Sequence, residues 1–218
     1  SGVVGNASVV GAVANIGLNH ALSLRVFNNN TTRPTYDAAT NNGMLNFDGV
    51  DDYLPILSSE YADFGVYDDG VSTTVLVVKG AAQINKMLIG ENNASNGAGR
   101  FELCTDNVDG DDLANHISTG SGTQVNTVAA GENNVFDNTT KIIARVDTGT
   151  QLFTYVNKVL VATTNYTRGT STVPNTLQIG CRRTSGVAKD YFAGKIGSGM
   201  FIAANLTAQL DDIFDYYA

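Results

Sequence analysis

The residues of this chain that could do chemistry are its acids, and their spacing limits what that chemistry is. Asp106-Asn107-Val108-Asp109-Gly110-Asp111-Asp112 places four carboxylates in one loop. Calcium takes Asp oxygens and backbone carbonyls, so Asp106, Asp109, Asp111 and Asp112 are candidate metal ligands, with calcium as the ion. The pattern is not an EF-hand, because the Gly falls after the second Asp and no Glu closes the loop. The competing reading is a solvated acidic turn. Asp48, Asp51 and Asp52 make a second cluster around Gly49, where bracing of local amides is the simpler role. Retaining glycosidases need carboxylates paired across one face. The four Glu here are Glu60, Glu91, Glu102 and Glu132, and none has an acid two residues on. His20 and His116 lack the Ser or Cys context of a triad and read as surface or loop residues. These absences point to a non-catalytic chain.

The elements that must hold such residues are strands. The chain has 218 residues, 43% hydrophobic and 16% charged, with 23 Gly, 3 Pro and no Trp. Those values suit one turn-rich, all-β domain with a substantial core. Thr73–Lys79 is β-branched and nearly all apolar, which predicts a central strand covered on both faces. Ala21–Phe27, Lys86–Gly90, Arg100–Cys104, Lys141–Asp147, Gln151–Val156, Val159–Ala162, Leu177–Gly180 and Phe192–Ile202 also read as strands, with a weaker one at Gln124–Val128. Leu45–Phe47 and Tyr53–Leu57 flank Asp48-Gly49 and read as a hairpin. Residues 1–20 read as an arm or an added edge strand, and residues 21–218 as a single domain. Leu210, Ile213, Phe214 and Tyr217 give one short C-terminal helix an apolar face, with Thr207 as its expected cap.

Net charge is −8, and the 13 Lys and Arg are scattered. Nucleic acid is therefore not an expected partner. No run has the length of a membrane helix, and Ser1–Leu18 lacks the basic region of a signal peptide. Cys104 and Cys181 both fall in expected strands, which favours buried free thiols over one disulfide. Asn-x-Ser/Thr sequons occur at Asn6, Asn29, Asn30, Asn93, Asn138, Asn165 and Asn205 and carry little weight in so Asn- and Thr-rich a chain.

Taken in order, Arg33–Tyr36, Leu45–Tyr53, Leu152–Asn157, Leu177–Gly180, Phe192–Gly197 and Asn205–Thr207 resemble the concanavalin A-like lectin/glucanase superfamily, and within it the laminin-G-like jelly rolls of phage and bacterial surface proteins. The resemblance covers about residues 21–218 and implies an antiparallel β-sandwich with one short helix. Two departures stand out. Lys158 occupies a turn position where relatives carry Gly, which would cost about 1 kcal/mol in a type I′ turn and argues for another turn type. Phe136 stands near a position where relatives carry Trp.

Relatives of this kind bind sugars through rim loops or a sheet face. The resemblance therefore implies Tyr36, Asn107, Tyr166, Arg182 and Tyr191 as candidate ligand contacts. The first functional expectation is a non-catalytic structural or display module on a virion surface, such as a phage capsid decoration or tail component. It would act through other virion or surface subunits, including copies of itself, with the N-terminal arm as the contact. The alternative is a lectin-like module, calcium-dependent or not, that binds surface glycans at an extracellular location. A glycoside hydrolase is the third reading.

Overall fold

The computed structural model describes residues 8–9, 12–14, 23–25, 32–37, 43–57, 71–91, 101–118, 124–126, 134–167, 176–184, 187–202 and 204–218. In chain order the strands are β1 (Ser8–Val9), β2 (Ala12–Ala14), β3 (Ser23–Arg25), β4 (Thr35–Asp37), β5 (Met44–Asp48) and β6 (Leu54–Leu57). There follow β7 (Val71–Lys79), β8 (Met87–Glu91), β9 (Phe101–Thr105), β10 (Leu113–Ser118), β11 (Gln124–Asn126) and β12 (Lys141–Thr148). The last are β13 (Gln151–Val156), β14 (Val159–Asn165), β15 (Thr176–Ile179), β16 (Arg182–Thr184), β17 (Val187–Lys189) and β18 (Ala193–Ile202). A 3-10 turn (Thr207–Gln209) leads into helix α1 (Leu210–Tyr217).

Two antiparallel sheets make the expected sandwich. One has eight strands in the order β1-β4-β5-β18-β7-β12-β13-β14, and the other six in the order β11-β10-β9-β8-β15-β6. Between them lies a core that includes Phe47, Leu76, Val78, Leu103, Leu113, Ile143 and Phe192. The alternate residues Val75, Val77, Ile142, Ala144 and Val146 face outward from the larger sheet and are covered by Leu210 and Phe214 of α1. This explains why β7 and β12 read as continuous apolar runs: both faces are buried.

Several expectations need correction. Residues 44–57 are not a hairpin: β5 pairs with β4 and β18 in the larger sheet, whereas β6 pairs with β15 in the smaller one. The Asp48-Gly49 bend is a corner that carries the chain between sheets. Asp48 Oδ1 accepts the Val50 amide at 2.8 Å, and Asp52 Oδ2 accepts the Asp48 amide at 2.8 Å, so the bracing role of these acids holds. The turn at Asn157-Lys158 is a two-residue type after all, with φ of 46° and 72° and Val156 paired to Val159. Asn157 is pinned there by its amide to Ile142 O at 2.8 Å and by its Oδ1 accepting the Ile142 amide at 2.9 Å. Lys158 in turn reaches Asp215 of α1 at 2.6 Å. Thr207 does not cap the helix; Asn205 Oδ1 instead accepts the Thr207 amide at 3.0 Å and its hydroxyl at 2.6 Å. Strand β10 and the β16–β17 hairpin were not expected. Cys181 lies just past β15 rather than in a strand, and it and Cys104 are buried free thiols.

Of the N-terminal region, Ser8–Val9 pairs with Thr35–Tyr36 at the edge of the larger sheet, and Ala12–Ala14 pairs with Ser23–Arg25. Ala21, Leu22, Val26 and Phe27, with His20, Glu60, Glu132, Asn6, Asn29, Asn30 and Asn93, lie outside the described residues.

Candidate functional site

One end of the sandwich gathers most of the polar chemistry. Strand register brings the Asp48–Asp52 corner, the segment 80–86, the acidic loop and residues 180–193 to this rim. Gly180 N donates to Leu88 O, Met87 N to Asp190 O, Asn85 N to Asp106 O, and Gln83 N to Gly110 O. Gly180 makes the turn possible. Its φ is +86°, and a Cβ there would penetrate the Phe47 ring. The chain leaves β15 at this point and enters the β16–β17 hairpin.

At this rim Tyr53 and Tyr191 stack at a tilt, with ring centroids 6.4 Å apart. Both rings are half-buried. Burial holds both phenols above their ordinary pKa. Arg183 is close enough to Tyr53 to pull the other way, and Asp51 is close enough to Tyr191 to push it higher. The Tyr191 hydroxyl donates to Ala188 O at 3.2 Å. Val50 and Val187 nearby in sequence are 70% and 65% exposed. The Tyr53–Tyr191 pair, within electrostatic range of Arg183 and Asp51, combines aromatic faces with charged groups, a pairing of chemistries that a sugar can meet.

An ionic network reaches this rim through Asp190, the residue before Tyr191. Glu102 is fully buried; its Oε1 accepts from Arg182 Nη1 at 3.2 Å, and its Oε2 lies 2.8 Å from His116 Nδ1. Arg182 Nε lies 2.5 Å from Asp190 Oδ2. Burial opposes the Arg182 charge, but Glu102 and Asp190 outweigh it and raise its pKa. His116 is therefore a half-buried strand residue paired to a carboxylate, not a loop residue.

In the acidic loop, Asp106, Asp109 and Asp111 each bring a carboxylate oxygen within 4.8 Å of the others. Asp106 also braces the loop, accepting the Val108 amide at 2.8 Å and the Gly110 amide at 2.5 Å. A side-chain hydrogen bond with Asp109, helped by the charges of Asp109 and Asp112, raises the Asp111 pKa. This donor set fits a hard cation. Asp112 is directed elsewhere, its Oδ1 accepting the Asn134 amide at 3.1 Å.

Of the five expected ligand contacts, the structure brings Arg182 and Tyr191 together. Asn107 is exposed in the acidic loop at the same rim. Tyr36 lies on β4, beside the edge pair of the larger sheet, with its hydroxyl over Gly43. Tyr166 is buried at the opposite end of the sandwich, where its hydroxyl donates to Asp147 beside the buried Arg145. Sequence reasoning missed Tyr53, which meets Tyr191 only through the fold, and Asp190, which meets Arg182 across a hairpin that the sequence did not mark.

No family model and no curated protein matches the chain. Solved structures do. The carbohydrate-binding CBM40 of the Ruminococcus gnavus IT-sialidase is 16% identical, with a TM-score of 0.55 over 79% of this chain and 92% of that one. Domain 4 of AbnA, a GH43 extracellular arabinanase from Geobacillus stearothermophilus solved with arabinotriose, is 14% identical, with a TM-score of 0.62 over 83% and 80%. The binding domain of botulinum neurotoxin DC, solved with SialylT, is 10% identical, with a TM-score of 0.57 over 81% of this chain and 42% of that one. At these identities the likeness establishes the β-sandwich fold.

Proposed function

We propose that the chain is a non-catalytic glycan-binding module, with the sugar seated on the Tyr53–Tyr191 pair. The observation that carries this reading is the aromatic pair, within electrostatic range of Arg183 and Asp51, at the rim of a sandwich shared with carbohydrate-binding domains. Two of those neighbours are described with arabinotriose and with SialylT bound, and the CBM40 is also described with α2,3-sialyllactose. These neighbours favour the lectin-like reading over virion display. The partners are accordingly surface glycans, met outside a cell. Among the described residues no helix is long and apolar enough to cross a membrane.

Calcium at Asp106, Asp109 and Asp111 belongs to the proposal as a support for the same rim. The test is a glycan array followed by calorimetry, with α2,3-sialyllactose and arabinotriose among the probes. Binding by the intact chain that is lost in Tyr191→Ala supports the reading. Flat curves across the array contradict it.

The display reading made the N-terminal arm a contact to neighbouring subunits, and the pairing of β1 with β4 of the same chain weakens it. Removing residues 1–20 and measuring the assembled mass tests it. An unchanged mass discards the arm as a contact.

A further inference from the structure

We propose that Arg182 is a positioning residue: with Glu102 and Asp190 it clamps the β16–β17 hairpin onto the outer face of the six-stranded sheet and so sets Tyr191 against Tyr53. The inference rests on the glycan-binding reading for its functional meaning, though the clamp itself is a matter of geometry.

Arg182 opens β16 and pairs with Lys189 at the end of β17, so Arg182 and Asp190 together close the base of the hairpin. Tyr191 is the next residue. From that base the Arg182 side chain must cross β8 to reach Glu102 on β9, since the strand order is β9-β8-β15. It crosses at Gly90, which pairs with Glu102 on one side and Gln178 on the other. A Cβ at Gly90 would lie 2.9 Å from Arg182 Cβ and 3.1 Å from Cys181 O, so bare backbone is what allows the approach.

Glu102 is a fixed anchor, fully buried, with one oxygen on Arg182 and the other on His116. Arg182 Nη1 donates to Glu102, and Nε faces Asp190 Oδ2 at 2.5 Å as an ion pair in which neither atom makes an aligned hydrogen bond. A group held on two carboxylates and 13% exposed is poorly placed to meet a sugar and well placed to hold a loop. The Met87 amide on Asp190 O ties the same corner to β8 at 3.0 Å.

The experiment compares Arg182→Met and Asp190→Asn with the intact chain, by amide hydrogen exchange and by spectrophotometric titration of Tyr191, assigned by difference from Tyr191→Phe. The expected result is exchange at least tenfold faster at Arg183, Ala188 and Lys189, with Ala144–Val146 unchanged. The Tyr191 phenol should move down toward its ordinary value as burial is lost. Arg182→Lys should fall between, since an ammonium lacks the fork that spans both acids.

Hairpin exchange and Tyr191 titration as in the intact chain would overturn the clamp. So would loss of α2,3-sialyllactose or arabinotriose binding in Arg182→Met with hairpin exchange unchanged, because that makes Arg182 a direct contact. Where Arg182→Met fails to fold, Asp190→Asn decides alone, its side chain being 25% exposed and outside the Glu102 pair. An intact chain that binds no glycan contradicts the binding reading, and the exchange data still decide the clamp.

Discussion

At the residue scale, Asp52 shows how burial turns a turn acid into a pH-dependent group. Burial is the main cause that lifts its pKa from 3.8 to about 6; the Asp48 amide opposes the shift, and the charges of Asp48 and Asp51 add to it. The folded chain therefore holds a proton that the unfolded chain has already lost between those values. The contribution of this group to stability falls as pH rises from about 3.8 to about 6, and is level above. Asp52→Asn keeps an acceptor for the Asp48 amide, so its denaturant midpoint should lose that slope. An identical pH profile in the variant would contradict this. The tyrosine pair belongs to the same scale. Tyr53→Ala and Tyr191→Ala should each weaken glycan binding by tenfold or more, about 1.4 kcal/mol, while leaving the thermal midpoint within a few degrees. Calorimetry and a melting curve on each variant check this.

At the element scale, the corner at Gly180 shapes the rim and helix α1 covers the outer face of the larger sheet. Gly180→Ala combines a positive φ with a collision against Phe47, and should cost about 2 kcal/mol or more. Because Phe47 sits in the main core, the loss should appear in chemical denaturation as well as at the rim. Phe214→Ala empties the contact between α1 and the outer face of the larger sheet, and should cost about 3–5 kcal/mol with no direct effect on the rim. What the sequence made legible also sorts by element. Strands β7, β12 and β13 were readable because burial on one or both faces leaves a periodic or continuous apolar pattern. Strand β10 was not, because its inward Asn115 donates its amide to Thr154 across the sandwich and its outward His116 pairs with Glu102. A polar residue with a distant partner looks like a loop when read alone. Asp48-Gly49 was misread because a corner between sheets and a hairpin turn need the same local chemistry, positive φ and a carboxylate to take stray amides.

At the scale of the whole molecule, the sandwich is a frame that gathers one rim. The fold was legible from the collinear motifs. The site was only half legible: Arg182 and Tyr191 were named, but as contacts of the same kind; Tyr53 and the anchoring role of Glu102 depend on contacts between distant segments, and Asp190 on a hairpin the sequence did not mark. Calcium provides a test at this scale. Excess calcium should raise the thermal midpoint, by an amount that corresponds to about 2.7 kcal/mol at a hundredfold excess over Kd. Asp109→Ala should abolish that rise without lowering the midpoint of the calcium-free chain. Asp106→Ala should lower it with or without calcium, because Asp106 also holds the loop amides. A midpoint indifferent to calcium would discard the metal and leave the loop as a braced acidic turn.

The claim that the Tyr53–Tyr191 rim binds sugar is tested most directly by titrating α2,3-sialyllactose and arabinotriose into the intact chain while following the ring resonances of both tyrosines by NMR. The account predicts that at least one of these probes shifts the Tyr53 and Tyr191 signals together, saturably, with the buried Tyr166 unmoved. Saturable binding that leaves both rings unperturbed, or no binding of either probe, would contradict it.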